Sequence, residues 1–231
     1  MKSIAKIIFV LAMLAGLSAA AEVQDRHLTG FHAISSSTSC DLVITQGGTE
    51  SVKVDASPKV IDNIITEVRD GELRIYMKKG FHWDNFFNHG KMIIYISVRN
   101  ISGISMSGAG DVSFKSGLKA DRLALNISGS GDFDGRVDVN LLTTQISGSG
   151  DIQLRGRATN CSVKTSGSGD FDGRDLSTAS ANVSTSGSGD VSIRVSENLM
   201  AHSSGSGDIH YAGSPKSVMK SSTGSGDIER I

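Results

Sequence analysis

The sequence predicts an all-β protein, a parallel β-solenoid (β-helix) with coils of about 19 residues. Three observations predict it. A Ser-Gly-x-Gly-Asp motif occurs seven times at nearly constant spacing, apolar residues alternate between the copies, and the copies are almost identical.

The copies begin at Ser107, Ser128, Ser147, Ser166, Ser186, Ser204 and Thr223, and their aspartates are Asp111, Asp132, Asp151, Asp170, Asp190, Asp208 and Asp227. The spacings are 21, 19, 19, 20, 18 and 19 residues, and the motifs hold 14 of the 27 glycines. Between motifs, Leu123, Leu125 and Ile127 alternate with Ala124 and Asn126, and Ile152 and Leu154 flank Gln153. Apolar residues at every second position indicate strands with one buried face. No sustained helical stripe occurs from Met106 onward. Hairpins would place successive copies in unlike surroundings. In a solenoid, equivalent residues stack about 4.8 Å apart, so each position meets its own kind above and below, which selects sameness. Residues 106–231 are therefore assigned to the solenoid. Within the motif, the glycines are expected to supply positive φ at a corner and the aspartates to accept hydrogen bonds from turn amides.

Residues 22–105 also read as strands, continuous with the array and capping its N-terminal end. Leu42-Val43-Ile44 leads into a turn at Gln46-Gly47-Gly48, and Val52 and Val54 alternate. Asp70-Gly71 is a hairpin turn before Leu73, Ile75 and Met77, and Met92, Ile94, Ile96 and Val98 make another strand. Residues 61–68 fit either a short helix or a strand edge.

Residues 1–21 read as a cleaved signal peptide: Lys2 and Lys6, an apolar stretch over 7–17, then Ser18-Ala19-Ala20-Ala21. The apolar stretch falls short of the roughly 20 residues a spanning helix needs. Export is expected, with no integral membrane span after cleavage. Removing the two lysines takes the formal charge from −1 to −3, which gives no basic face for nucleic acid. In an oxidising compartment Cys40 and Cys161 could pair, or both could be buried free thiols.

Several candidate sites emerge. Seven stacked carboxylates repel one another unless amides or cations satisfy them. Structural turn bonding is preferred here to calcium, because Gly-Ser-Gly-Asp lacks the residue that separates Gly from Asp in the calcium β-roll repeat. The one aromatic cluster, with Phe81, His82, Trp83, Phe86, Phe87 and His89, is a candidate partner-binding loop or a hydrophobic cap. Asp132 with Asp134, and Asp170 with Asp172, should share one side of a strand, a pattern also compatible with a polysaccharide lyase or hydrolase. Arg136, Arg155, Arg157 and Arg174 read as a solvated face. No helical metal pair and no nucleophile elbow is present, and neither cofactor nor metal is expected.

The signal peptide, Phe31-His32-Ala33-Ile34, Val43-Ile44-Thr45-Gln46-Gly47, Asp70-Gly71-Glu72-Leu73-Arg74-Ile75 and the SGSGD array together resemble the bacterial "putative auto-transporter adhesin, head GIN domain" proteins, which are common in Bacteroidota. The resemblance implies a right-handed parallel β-helix and an envelope or surface location, and it brings no catalytic residues. The sequence ends at Ile231, directly after the last copy, so the membrane barrel of a true autotransporter is not expected. The expected function is an exported module that binds a glycan or protein, in the periplasm, at the cell surface or secreted, with homo-oligomerisation open. A polysaccharide-active enzyme and a purely structural spacer are the alternatives.

Overall fold

The computed structural model describes residues 22–80 and 91–231. Sixteen strands lie among them, with one 3₁₀ turn at Ile61–Asn63 and no α-helix. The first eight are β1 (Glu22–Asp25), β2 (Ala33–Ser36), β3 (Asp41–Gln46), β4 (Ser51–Ala56), β5 (Ile64–Arg69), β6 (Glu72–Met77), β7 (Ile93–Val98) and β8 (Gly103–Met106). The array holds β9 (Val112–Ile127), β10 (Phe133–Ile146), β11 (Ile152–Thr165), β12 (Phe171–Thr185), β13 (Val191–Ser203), β14 (Ile209–Gly213), β15 (Ser217–Ser222) and β16 (Ile228–Arg230).

From β9 to β16 every pairing is parallel, and Phe133 lies beside Ile152, Ile152 beside Phe171, and Phe171 beside Val191. This is the stacked solenoid, one motif per coil. Each long strand bends within itself. In β10 the inward positions are Phe133, Val137 and Val139, then Asn140 and Leu141 both face outward, and Leu142, Thr144 and Ile146 point inward again. That one-residue slip in the alternation makes a second corner.

The narrow core compensates volume between neighbouring coils. Phe114 lies in register with Gly135, and a Cβ on Gly135 would strike the Phe114 ring. Phe133 and Gly135 in one coil are followed by Ile152 and Leu154 in the next, then by Phe171 and Gly173, then by Val191 and Ile193. A large-plus-small pair alternates with two medium side chains, which keeps the interior close-packed.

The N-terminal region extends the stack and then closes it. β8 pairs with the end of β9, and β3 with its start. β2 and β3 form the next coil outward, and β6 and β7 the one beyond, each in parallel register. Antiparallel β4 and β1 finish the β7 side, and antiparallel β5 finishes the β6 side. The β5–β6 hairpin turns at Asp70 and Gly71 with φ of 53° and 76°, the positive pair of a type I′ turn. Residues 61–68 split between the 3₁₀ turn and β5.

The glycines of the motif act differently from the sequence expectation. None has positive φ; among the described glycines that conformation occurs at Gly30, Gly71, Gly80, Gly117, Gly156 and Gly213. Instead the corners nest. A Cβ on any motif glycine would sit well inside 3.0 Å of a backbone carbonyl in the preceding corner. Glycine is selected by close approach of backbone to backbone. The first corner of the stack, Ser37-Thr38-Ser39-Cys40-Asp41, carries Thr38 and Cys40 at the glycine positions, because no Gly-Asp corner precedes it.

Cys40 and Cys161 do not pair; both are free and buried. Cys40 adjoins β3 while Cys161 lies in β11, three strands further along the stack. Three strand spacings are about 14 Å, beyond the ~7 Å Cα separation a disulfide tolerates.

Candidate functional site

The aspartates form one line, with Asp41 added at its head. Oδ1 of Asp41 accepts a hydrogen bond from the backbone N–H of Asp111, and Oδ1 of Asp111 accepts one from Asp132. The pattern repeats through Asp151, Asp170, Asp190, Asp208 and Asp227, with N···O distances of 2.7–2.8 Å from Asp151 onward. Each bond therefore joins one coil to the next and does not close its own turn. The apolar residue after each aspartate completes the link by donating its N–H to the next aspartate's carbonyl, as Phe133 does to Asp151 at 2.8 Å and Ile152 to Asp170 at 2.9 Å. This arrangement engages Oδ1 of each aspartate from Asp41 to Asp208 and leaves Oδ2 without a hydrogen bond among the described residues, that of Asp41 lying 3.7 Å from Lys91.

A second polar column runs beside the first, because residues two apart on a strand share a face. It contains Asp134, Gln153, Asp172, Ser192 and His210 in register. The two Asp pairs noted in the sequence thus meet on one face. Lys115 and Arg155 approach Asp134 at 3.4 and 3.0 Å. Arg174 donates to Asp172 through Nε at 2.9 Å and through its backbone N–H at 3.1 Å. The Arg174 hydrogen bond holds the Asp172 carboxyl below the usual carboxylate range despite partial burial. Arg155 and Arg174 are therefore partners of this acidic face.

Between the two columns lies a groove of about 500 Å³, reaching from Asp132 to His210. Through Asp132 and Asp134 it continues into a further 390 Å³ that extends to Lys91 and Asp41. Among the described residues no three His, Cys, Asp or Glu side chains converge to hold a metal ion. The aromatic candidates Phe81, His82, Trp83, Phe86, Phe87 and His89 lie outside the described residues. Asp41, which heads the groove and donates its backbone N–H to Met92, was missed in the sequence because its corner lacks both glycines.

Among curated proteins no match is found. Solved structures do match. A protein from Bacteroides fragilis NCTC 9343, described as a putative adhesin, is 28% identical with a TM-score of 0.86, over 93% of this chain and 98% of that one. A protein from Parabacteroides distasonis ATCC 8503, described as a putative lipid binding protein, is 23% identical with a TM-score of 0.73, over the same shares. A putative adhesin from Parabacteroides merdae ATCC 43184 is 20% identical with a TM-score of 0.74, over 93% and 97%. These last two establish likeness of fold. Residues 30–215 match the family described as "Putative auto-transporter adhesin, head GIN domain". The chain belongs to that family.

Proposed function

We propose that the protein is an exported envelope or surface binding module that takes a neutral glycan chain along the aspartate groove. The observation that carries this reading is the ladder itself. Each carboxylate is fixed through Oδ1 by the backbone N–H of the next aspartate and keeps Oδ2 for a ligand, a pattern repeated about every 4.8 Å. That spacing is close to the advance of one sugar ring along an extended chain, and fixed acceptors suit sugar hydroxyls. Membership of an adhesin family supports binding to some ligand, and the apolar, small-residue N-terminus supports export. Binding is favoured over turnover because the ladder aspartates repeat one environment from coil to coil, whereas acid–base chemistry needs two carboxyls in unlike surroundings.

The test is a glycan array on the purified protein, followed by calorimetry with any neutral hit. In the double variant Asp151→Asn with Asp170→Asn, the amide oxygen still accepts the ladder bond, but the outward acceptor becomes a donor. Affinity is expected to fall about tenfold or more with the melting temperature kept. Absence of any neutral-glycan binding, or undiminished binding by the variant, would overturn the proposal.

A further inference from the structure

A second groove lies at a further bend of the coil, around Arg136, between the motif corner and the corner at Asn140 and Leu141. Its larger part, about 610 Å³, is bordered by Gln46, Lys119, Arg136, Asp138 and Arg157. Through Arg157 it continues into a further 360 Å³ that reaches Arg194. The differences in coil length are absorbed beside this corner: the register shifts between Gly135 and Val137, between Gln153 and Arg155, and between Gly173 and Ser177. Three of the six positive-φ glycines, Gly117, Gly156 and Gly213, line it. The motif corner is uniform; this one varies in length and carries charge.

Arg136 is set into the groove by its neighbours. A Cβ on Gly117 would lie 3.6–3.9 Å from the Arg136 stem, and one on Gly156 would lie 3.3 Å from its Cγ. The stem therefore runs between two glycines, one from the coil on either side. Its guanidinium has no ion pair or side-chain hydrogen bond among the described residues. Gln46 is fixed at the mouth by bonds to Arg99 and to both the N–H and the carbonyl of Lys119. Of the four cations, only Arg157 has a carboxylate partner among the described residues, Asp138 at 2.7 Å. Arg194 donates to the Arg174 carbonyl at 3.1 Å, which leaves its charge uncompensated. Four cations against one carboxylate leave an excess of three positive charges on a chain whose formal net charge is −1.

We infer that this groove binds an acidic sugar chain, a polysaccharide bearing carboxylates along its length. Lys119, Arg136, Arg157 and Arg194 belong to β9, β10, β11 and β13, so they are spread along the stack over about four strand spacings, ~19 Å. Guanidinium groups pair with carboxylates through charge-assisted bonds. Ser177 and Ser196 line the continuation and suit hydroxyls. Among the described residues no aromatic side chain lines either part, which disfavours nucleic acid, whose bases stack on aromatic rings.

The experiment is calorimetric titration of the purified protein with oligogalacturonate long enough to span five coils, beside the galacturonate monomer, a neutral galactan and anionic phosphatidylglycerol vesicles. The oligomer is expected to bind, more weakly as salt rises, and well above the monomer. Arg136→Gln should lower its affinity about tenfold or more, with the melting temperature unchanged. Arg122→Gln, which removes an exposed arginine outside the groove, should leave affinity as it is. Asp151→Asn should also leave it unchanged, which separates this site from the neutral-glycan groove. No binding of the oligomer, equal binding of the monomer, equal losses in the Arg136 and Arg122 variants, or Arg136-dependent binding to vesicles stronger than to the oligomer would each overturn the inference.

Discussion

The motif glycines show how one residue type answers two different demands. Positive φ and backbone contact both select glycine, so the sequence located these positions while suggesting the wrong reason for them. The nesting is the consequence of stacking identical corners, and it makes a sharp prediction. Gly167→Ala would push a methyl group onto the Gly148 carbonyl. It should cost about 3 kcal/mol or more, since the backbone must move. Ser168→Ala, one position on, should stay within about 0.5 kcal/mol, as the first array copy already carries Ala109 there. Urea denaturation of the two variants decides it. The column of buried hydroxyls offers a matched pair. Thr185 donates to the Gly189 carbonyl at 3.2 Å, whereas the buried Thr165 hydroxyl has no partner among the described residues. Thr185→Val should therefore lose about 1 kcal/mol, and Thr165→Val should be neutral or stabilising; the same denaturation series measures both. Burial pushes the Cys161 thiol up to about 12 and raises that of Cys40 as well. Neither should react with a thiol reagent at about pH 8 until the protein unfolds, because the thiolate is the reactive form.

The coil is the element of this fold, and its bends were unequally legible in the sequence. Period, alternation and near-identity gave the strands, the register and the line of aspartates from Asp111 to Asp227. The direction of the aspartate bonds was not legible, because a repeat spacing does not distinguish a bond within a turn from one to the next coil. Asp41 was hidden because its corner has Thr38 and Cys40 in place of glycine. The arginine groove was hidden for a related reason. Its residues come from places where coil lengths differ: Arg136 and Arg194 each follow their motif aspartate by four residues, but Lys119 follows by eight and Arg157 by six, so no single offset marks the groove. On the acidic side, Asp172 and Arg174 give a pH test. The Asp172 carboxyl is depressed in the folded state, so its contribution is present above the ordinary carboxylate range and is lost as pH falls through the depressed value. Wild type should exceed Asp172→Asn in stability at neutral pH by no more than about 1 kcal/mol, as the pair is partly exposed. The difference should close as pH falls below the ordinary carboxylate range and through the depressed value, which thermal melts across pH can follow.

At the scale of the molecule, a stack of coils has two ends, and each exposes strand edges that invite pairing. The N-terminal end is finished by antiparallel β1, β4 and β5. At the other end, β15 and β16 form the last described coil, and Val218 and Met219 are 38% and 57% exposed. In register, Val218, Lys220 and Ser222 continue the inward positions of Leu199, Ala201 and Ser203. An inward-facing lysine is out of place in a core but apt at its mouth. Lys220 Nζ donates to the Ile228 carbonyl at 2.9 Å and sits 4.7 Å from the centre of the Tyr211 ring, so its side chain crosses the open end from β15 toward β14 and β16. A second molecule that added its edge here would have to bury that ammonium, at a cost of several kcal/mol. The lysine thus guards the end against the same stacking that builds the interior. Lys220→Val should remove the guard and offer a continuous apolar floor. Sedimentation velocity over a concentration series should show the variant associating at concentrations where the wild type does not. Equal sedimentation of the two would mean that the edge is protected by something other than this charge.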